Sequence, residues 1–219
     1  MSRAALLFDL DGTLVDTDHL HHAAFVEILA ERGRELSLAE YRANIMGQHN
    51  SDVLARYFPG EDRAILDRKE AMFRTALAAS VEPIAGIHAL LDWAGEHGIA
   101  AAVVTNAPRE NAHAMLAAAG LAPRLGTVVI GDECAAPKPD PAPYRAAMAA
   151  VGATPSRSLA FEDSRSGLRA ARGSGAHVFG LTTGLPADEL LRSGAHEAIA
   201  DYTDPLLWAR LDQLRTRVA

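Results

Sequence analysis

Five short apolar runs punctuate the chain, and each gives way to polar residues or glycine. Ala4–Phe8 runs into Asp9, Ala100–Val104 into Thr105 and Asn106, and Ser158–Phe161 into Glu162 and Asp163. Thr127–Ile130 and His177–Leu181 repeat the pattern. Continuous apolar stretches of this length predict strands buried on both faces, as in a parallel sheet. Between them, Ile87–His97, Arg109–Gly120, Pro141–Val151 and Ser166–Gly175 are amphipathic and predict helices. Strands alternating with helices predict an α/β protein whose ligands bind beyond the carboxyl ends of the strands.

The alternation breaks between residues 16 and 81. That stretch reads as consecutive helices over His21–Arg32, Ser37–Ile45, Ser51–Tyr57 and Asp62–Ala79. Ser37 followed by Glu40 has capping-box spacing, and Gly33 and Pro59-Gly60 are stop signals. A helical insert directly after the first strand is expected to sit over the sheet's carboxyl edge as a cap. The expected division is a core of residues 1–15 and 84–219 and a cap of residues 16–83. Gly173-Ser174-Gly175 fails the dinucleotide pattern because Val178 holds its sixth position, and there is no Walker loop.

Composition narrows the function classes. The 219 residues are 49% hydrophobic and 22% charged, an ordinary globular balance. A net charge of −7 offers no general basic surface for nucleic acid or anionic lipid. Any phosphorylated ligand must then be held by a few local cations. The single cysteine, Cys134, excludes an intrachain disulfide and is expected to be a small packing residue, not a nucleophile. The first apolar run is too short for a signal peptide, and no later stretch could span a membrane, so a cytoplasmic protein is expected.

The chemistry concentrates at the predicted strand ends. In Phe8-Asp9-Leu10-Asp11-Gly12-Thr13, two carboxylates stand two residues apart after a buried strand. They need a positive partner if both are buried, and hard oxygen donors favour magnesium. The alternative is an ordinary acidic turn. Thr105 and Asn106 place a hydroxyl and an amide where they could meet phosphate oxygens. Lys138 lies within Pro137-Lys138-Pro139, whose rings restrict the backbone on both sides, although a solvated surface lysine is the plainer alternative for that segment alone. Glu162-Asp163-Ser164 ends another strand with two acids suited to a cation.

In this order, DxDGT, TN, KPxP and EDS resemble the four motifs of the haloacid dehalogenase superfamily of phosphotransferases, across nearly the whole chain. The resemblance implies a Rossmann-like parallel sheet core with an inserted α-helical cap. Glu162-Asp163-Ser164-Arg165-Ser166-Gly167, with the cap's position, looks most like the β-phosphoglucomutase and sugar-phosphate phosphatase group. It implies that Asp9 is the nucleophile, forming an aspartyl-phosphate, and that Asp11 is first general acid and then general base. Thr105 and Asn106 would bind the transferring phosphoryl group, and Lys138 would neutralise it. Mg2+ would be held by Asp9, the Asp11 backbone carbonyl and Asp163, with Glu162 as a ligand or close by. Like charges around Asp11 are expected to raise its pKa. The implied partner is a small phosphorylated metabolite, and a monomer suits a cap that opens and closes.

Within the predicted cap, His19, His21 and His22 lack the further ligands of a zinc site. His21 matches the group's cap-hinge histidine and either reaches the substrate or Asp11, or is an exposed helix residue. Gln48, His49 and Asn50 occupy the expected specificity loop, where the mutases carry an arginine for a second phosphate. Its absence favours hydrolysis of a monophosphate over mutase transfer. Lys69 falls near a cap lysine of the mutase group, but among Asp67, Arg68 and Glu70 it is expected on a solvated face. Asp11 argues against a dehalogenase. A phosphoacceptor signalling module, a reading of another class, is disfavoured because the acceptor aspartate follows the first strand, with a cap behind it.

Overall fold

The computed structural model describes residues 3–77 and 81–216. Six strands form one parallel sheet: β1 (Arg3–Phe8), β2 (Ala100–Thr105), β3 (Val128–Ile130), β4 (Ala153–Glu162), β5 (His177–Leu181) and β6 (Glu197–Ile199). Their order is β3-β2-β1-β4-β5-β6. β1 therefore stands at the centre, with the chain winding outward in one direction through β2 and β3 and in the other through β4 to β6. In open sheets of this kind the ligand crevice lies where the winding reverses. The α/β class and Rossmann-like core are as expected, with β6 added.

Ten α-helices accompany the sheet among the described residues. α1 (Asp18–Ala30), α2 (Leu38–Asn44), α3 (Asn50–Tyr57) and α4 (Ala64–Ala76) follow β1 without an intervening strand. α5 (Ile87–Glu96), α6 (Arg109–Ala118), α7 (Ala142–Val151), α8 (Arg165–Ser174), α9 (Ala187–Ser193) and α10 (Pro205–Thr216) flank the strands. α2 starts where its cap predicts: Ser37 Oγ accepts from Glu40 N at 3.1 Å. α4 ends at Ala76, with Leu77 already extended, and Ala78 and Ala79 of its expected span lie outside the described residues. So do residues 1–2 and 217–219 of the expected core.

Both faces of the sheet are dry. Leu6 and Phe8 of β1 face α5, α6 and α10, while Ala5 and Leu7 face α7 and α8, the alternation a pleated strand imposes. Phe8 stacks on Phe161 with centroids 4.9 Å apart, and Phe161 on Phe179 at 5.5 Å. Tyr202 meets the first two edge-on, and its hydroxyl donates to Thr13 O at 2.9 Å. This aromatic row fixes the strand ends that carry the polar residues. No described helix is long and apolar enough to cross a membrane.

Candidate active site

The carboxyl ends of the central strands converge on one point. Asp9 follows β1, Thr105 ends β2, Glu162 ends β4 and Asp163 follows it. Lys138, from the segment before α7, donates to Asp9 Oδ1 at 2.6 Å and to Glu162 Oε1 at 2.6 Å. Glu162 Oε1 also accepts from Tyr144 Oη at 2.7 Å, and its Oε2 accepts from Ser164 Oγ at 3.3 Å. Lys138, Glu162 and Asp163 are all buried. The expectation of a framed, functional lysine thus acquires two specific carboxylate partners.

Local sequence explains how these groups fit together. Gly12 has φ 69°, and a Cβ there would stand 2.2 Å from Asp163 Oδ2. Only glycine accepts both the left-handed backbone and that approach. Ser164 caps α8, its Oγ accepting from Gly167 N at 3.1 Å. Gly167 then leaves room for the Glu162 carboxylate lying over the first turn of the helix. The EDSxxG run is a cap and a clearance, folded around one acid.

Asp9, Glu162 and Asp163 each offer a carboxylate oxygen within 4.8 Å of the others. Of these three buried carboxylates, Asp9 and Glu162 share the Lys138 ammonium. Burial and then Glu162 push Asp9 from 3.8 up to about 8, against the pull of Lys138 and with a further push from Asp11. Burial first, and then Asp18, Asp9, Glu162 and Asp11, hold Asp163 well above the ordinary 3.8. Burial works against the Lys138 charge, yet Asp9 and Glu162 outweigh it and raise its pKa. The donor set is all oxygen, anionic and in need of positive charge, which fits a hard divalent cation such as magnesium.

Asp11 behaves otherwise than its neighbours in sequence predict. Its carboxylate turns to the α1 side, accepting from Thr17 Oγ1 at 2.6 Å and lying 3.0 Å from His21 Nε2. Burial favours the protonated form, but His21 beside it, the Thr17 hydroxyl and the Lys69 charge outweigh it. The net shift is below the ordinary 3.8, opposite to the expected rise. The partners chosen by the side chain, and not the adjacent Asp9, decide the sign.

Other expectations divide. His21 is buried, its ring stacked on Phe73 at 3.8 Å, so it is not an exposed helix residue. Lys69 is 3% exposed and 2.7 Å from His21 Nδ1, which corrects the expected solvated face. Asn106 Nδ2 donates to Lys138 O at 3.1 Å and its Oδ1 accepts from Lys138 N at 3.0 Å. Its amide is thereby committed to holding the lysine segment. Thr105 Oγ1 accepts from Ala107 N at 2.9 Å. Gln48 lines the cavity between α1–α4 and the sheet, but His49 is not among its lining residues. His49 caps α3 and pairs with Asp132 across to the core.

That cavity measures about 90 Å³. Asp9, Asp11, Thr105, Asn106, Lys138 and Asp163 form its floor, and His21, Phe25, Tyr41, Met46, Gln48 and Lys69 part of its roof. No arginine is among the described lining residues. Asp18, Tyr41 and Glu70 are not singled out by the sequence as site residues, and Lys69 is weighed there but assigned to a solvated face. Lys69 and Glu70 recur at helical spacing with the apolar Leu66 and Phe73, the signal that could have placed them inward.

Comparison with known proteins agrees with this geometry. The family model for haloacid dehalogenase-like hydrolases matches residues 6–181. Protein CbbY of Rhodobacter capsulatus is 33% identical over 227 residues, covering 97% of both chains. Phosphoglycolate phosphatase of Pseudomonas putida is 31% identical, covering 82% of this chain and 69% of its own. A crystal structure of a CbbY variant from Rhodobacter sphaeroides in complex with xylulose-(1,5)-bisphosphate superposes with a TM-score of 0.80 at 28% identity, covering 92% of this chain and 96% of that one. With its four motifs gathered at the carboxyl edge of the sheet, the chain belongs to the haloacid dehalogenase-like hydrolases, as an enzyme of the phosphatase kind.

Proposed function

We propose that this protein is a magnesium-dependent phosphatase that hydrolyses a small phosphomonoester, a sugar phosphate, through an aspartyl-phosphate on Asp9. The observation that carries this reading is Lys138 Nζ bonded at once to Asp9 and Glu162, beside Asp163, at the sheet's carboxyl edge. An anionic nucleophile can approach a phosphate dianion only where positive charge is concentrated. Asp9, Glu162 and Asp163, with the Asp11 backbone carbonyl, would hold magnesium, which supplies charge against the phosphoryl oxygens and orients them.

In the first step an Asp9 carboxylate oxygen attacks phosphorus, the bond to the leaving oxygen breaks, and Asp11 donates its proton to that oxygen. Asp11 then takes a proton from water, whose oxygen attacks phosphorus and releases Asp9 and inorganic phosphate. The lowered pKa of Asp11 keeps it in the carboxylate form, the form that can take a proton from water. An incoming phosphate dianion adds the like charge that favours the acid form. Thr105 and Asn106 sit beside the transferring group. Asn106 contributes there by fixing Lys138 in place.

The four helices after β1 are read as a cap of residues 16–83 on a core of residues 1–15 and 84–219, closing over a monomeric enzyme's site to exclude water. A sugar phosphate is supported by the xylulose-(1,5)-bisphosphate bound in the CbbY neighbour. A monophosphate is supported by the absence of arginine among the described lining residues, since a second phosphate would lack the bidentate partner it favours. The test is phosphate release from a panel of sugar and small-acid monophosphates, with magnesium and with a chelator, for wild type and Asp9→Asn. Magnesium-dependent release abolished by the substitution is expected. Release that persists in Asp9→Asn, or none from any ester, would sink the reading.

A further inference from the structure

A second polar network, away from the phosphate end, ties α6 to α4. Asn111, on α6, is fully buried. Its Nδ2 donates to Glu70 Oε2 at 2.6 Å, and its Oδ1 accepts from Arg74 Nη1 at 2.6 Å. An amide between an anion and a cation has one orientation that satisfies both ends. Neither aspartate nor an apolar isostere offers that. Glu70 Oε1 accepts in addition from Asn50 Nδ2 at 3.0 Å. Both its oxygens lie 3.2 Å from Lys69 Nζ.

The contacts continue inward. Lys69 Nζ stands 2.7 Å from His21 Nδ1, and His21 Nε2 stands 3.0 Å from Asp11 Oδ1. An ammonium can only donate, so Nδ1 accepts and the hydrogen on Nε2 is aimed at Asp11. The ring is clamped in plane by Phe73. An unbroken set of short contacts thus runs from α6, the helix that follows the Thr105–Asn106 strand end, to the carboxylate that handles the leaving group. With Glu70 mislaid, Lys69 would be a buried ammonium without its counter-ion and would leave His21.

We propose that Asn111 and Glu70 are positioning residues: by bridging the α6 side to α4 they hold Lys69 on His21, and so orient Asp11 toward the leaving oxygen only when α4 is seated on the core. This rests on the phosphatase reading above. It predicts a loss that depends on how much the leaving group needs its proton. A contact that merely held the fold together would weaken all esters alike.

The experiment compares kcat/KM for p-nitrophenyl phosphate, whose leaving group departs readily as an anion, and phenyl phosphate, whose leaving group is more basic. For Asn111→Ala the expected loss is about 10²-fold on phenyl phosphate and under about threefold on p-nitrophenyl phosphate, the scale of a misplaced general acid. Glu70→Gln gives the same contrast, should Asn111→Ala fold poorly. The double variant is expected to lose no more than the worse single one, because both act through one chain of contacts. Equal losses on the two esters, or additive losses in the double variant, would overturn the proposal while leaving the phosphatase reading intact. Wild type inert on both aryl esters and on the sugar and small-acid panel would overturn the two together.

Discussion

Gly167 lies directly beneath the Glu162 carboxylate: a Cβ added there would stand 1.9 Å from Oε1. The obstacle is a buried acid bonded to Lys138, Tyr144 and Ser164, not the free end of a flexible side chain. Gly167→Ala must therefore push Glu162 off Lys138 or shift the start of α8. Overpacking of this kind costs about 1–3 kcal/mol, and an uncompensated buried charge adds to it. The expected result is a lower denaturant midpoint together with lost phosphatase activity. An unchanged midpoint would show that Glu162 is not fixed where its bonds place it.

Tyr144 offers a milder probe of the same acid. Its hydroxyl is held as a donor, because burial and then the charges of Glu162 and Asp9 raise its pKa well above 10.0. Tyr144→Phe keeps the ring, which lies 5.3 Å from Lys138 Nζ, and removes one hydrogen bond to a charged group. A stability loss of about 1.5–3 kcal/mol is expected, read from urea unfolding. Activity should fall less than in a Lys138→Ala variant, since Lys138 keeps both carboxylates.

How much of this was legible beforehand follows from range. The strands, the Ser37 cap and the motifs at Asp9, Thr105, Lys138 and Glu162 are local patterns, and the sheet brings their ends together as parallel topology dictates. What failed was long-range. Lys69 and Glu70 sit in a charged stretch that reads as solvated, and their burial is made tolerable by each other and by distant partners, His21 48 residues from Lys69 and Asn111 41 residues from Glu70. His49 reads as a substrate contact, yet its partner is Asp132, 83 residues on. The Asp11 shift was misjudged because sequence adjacency names Asp9 while the side chain faces His21 and Thr17. β6 is three residues long, too short to carry a periodicity of its own.

Magnesium dependence should respond to a residue that is not itself a ligand. Thr13 is fully buried, and its Oγ1 donates to Asp163 Oδ1 at 3.3 Å. Thr13→Val keeps the shape and removes that bond, freeing Asp163 to turn. Loss of a group orienting a metal ligand costs about 10–100-fold in metal affinity. The half-saturating magnesium concentration for phosphate release should rise by that factor, with activity recovering at high magnesium. Asp163→Asn, which removes an anionic donor outright, should not recover. Equal magnesium requirements in wild type and Thr13→Val would argue that Asp163 plays no part in holding the ion.

At the opposite end of the sheet, stability should depend on pH through His177 and His196. The rings stack at 4.4 Å, with His177 Nε2 2.8 Å from Glu197 Oε1 and Nδ1 accepting from Arg210 Nη2 at 2.9 Å. A proton added at Nδ1 would face that guanidinium. Burial, and then Arg210 and Arg172 against the opposing pull of Glu197, lower His177 below the ordinary 6.5. Burial, His177, Arg172 and Arg210 act on His196 in the same direction. Below pH 6.5 the unfolded chain therefore binds protons that the folded one resists. The stability conferred by the neutral rings is complete above that value and is lost as the pH falls toward the lowered folded values. Urea midpoints measured from about pH 7.5 down to about pH 5 should decline on the acid side, and His177→Gln should flatten part of that decline. Parallel curves for wild type and variant would mean that the carboxylates elsewhere carry the whole effect, and that Arg210 does not oppose protonation at Nδ1.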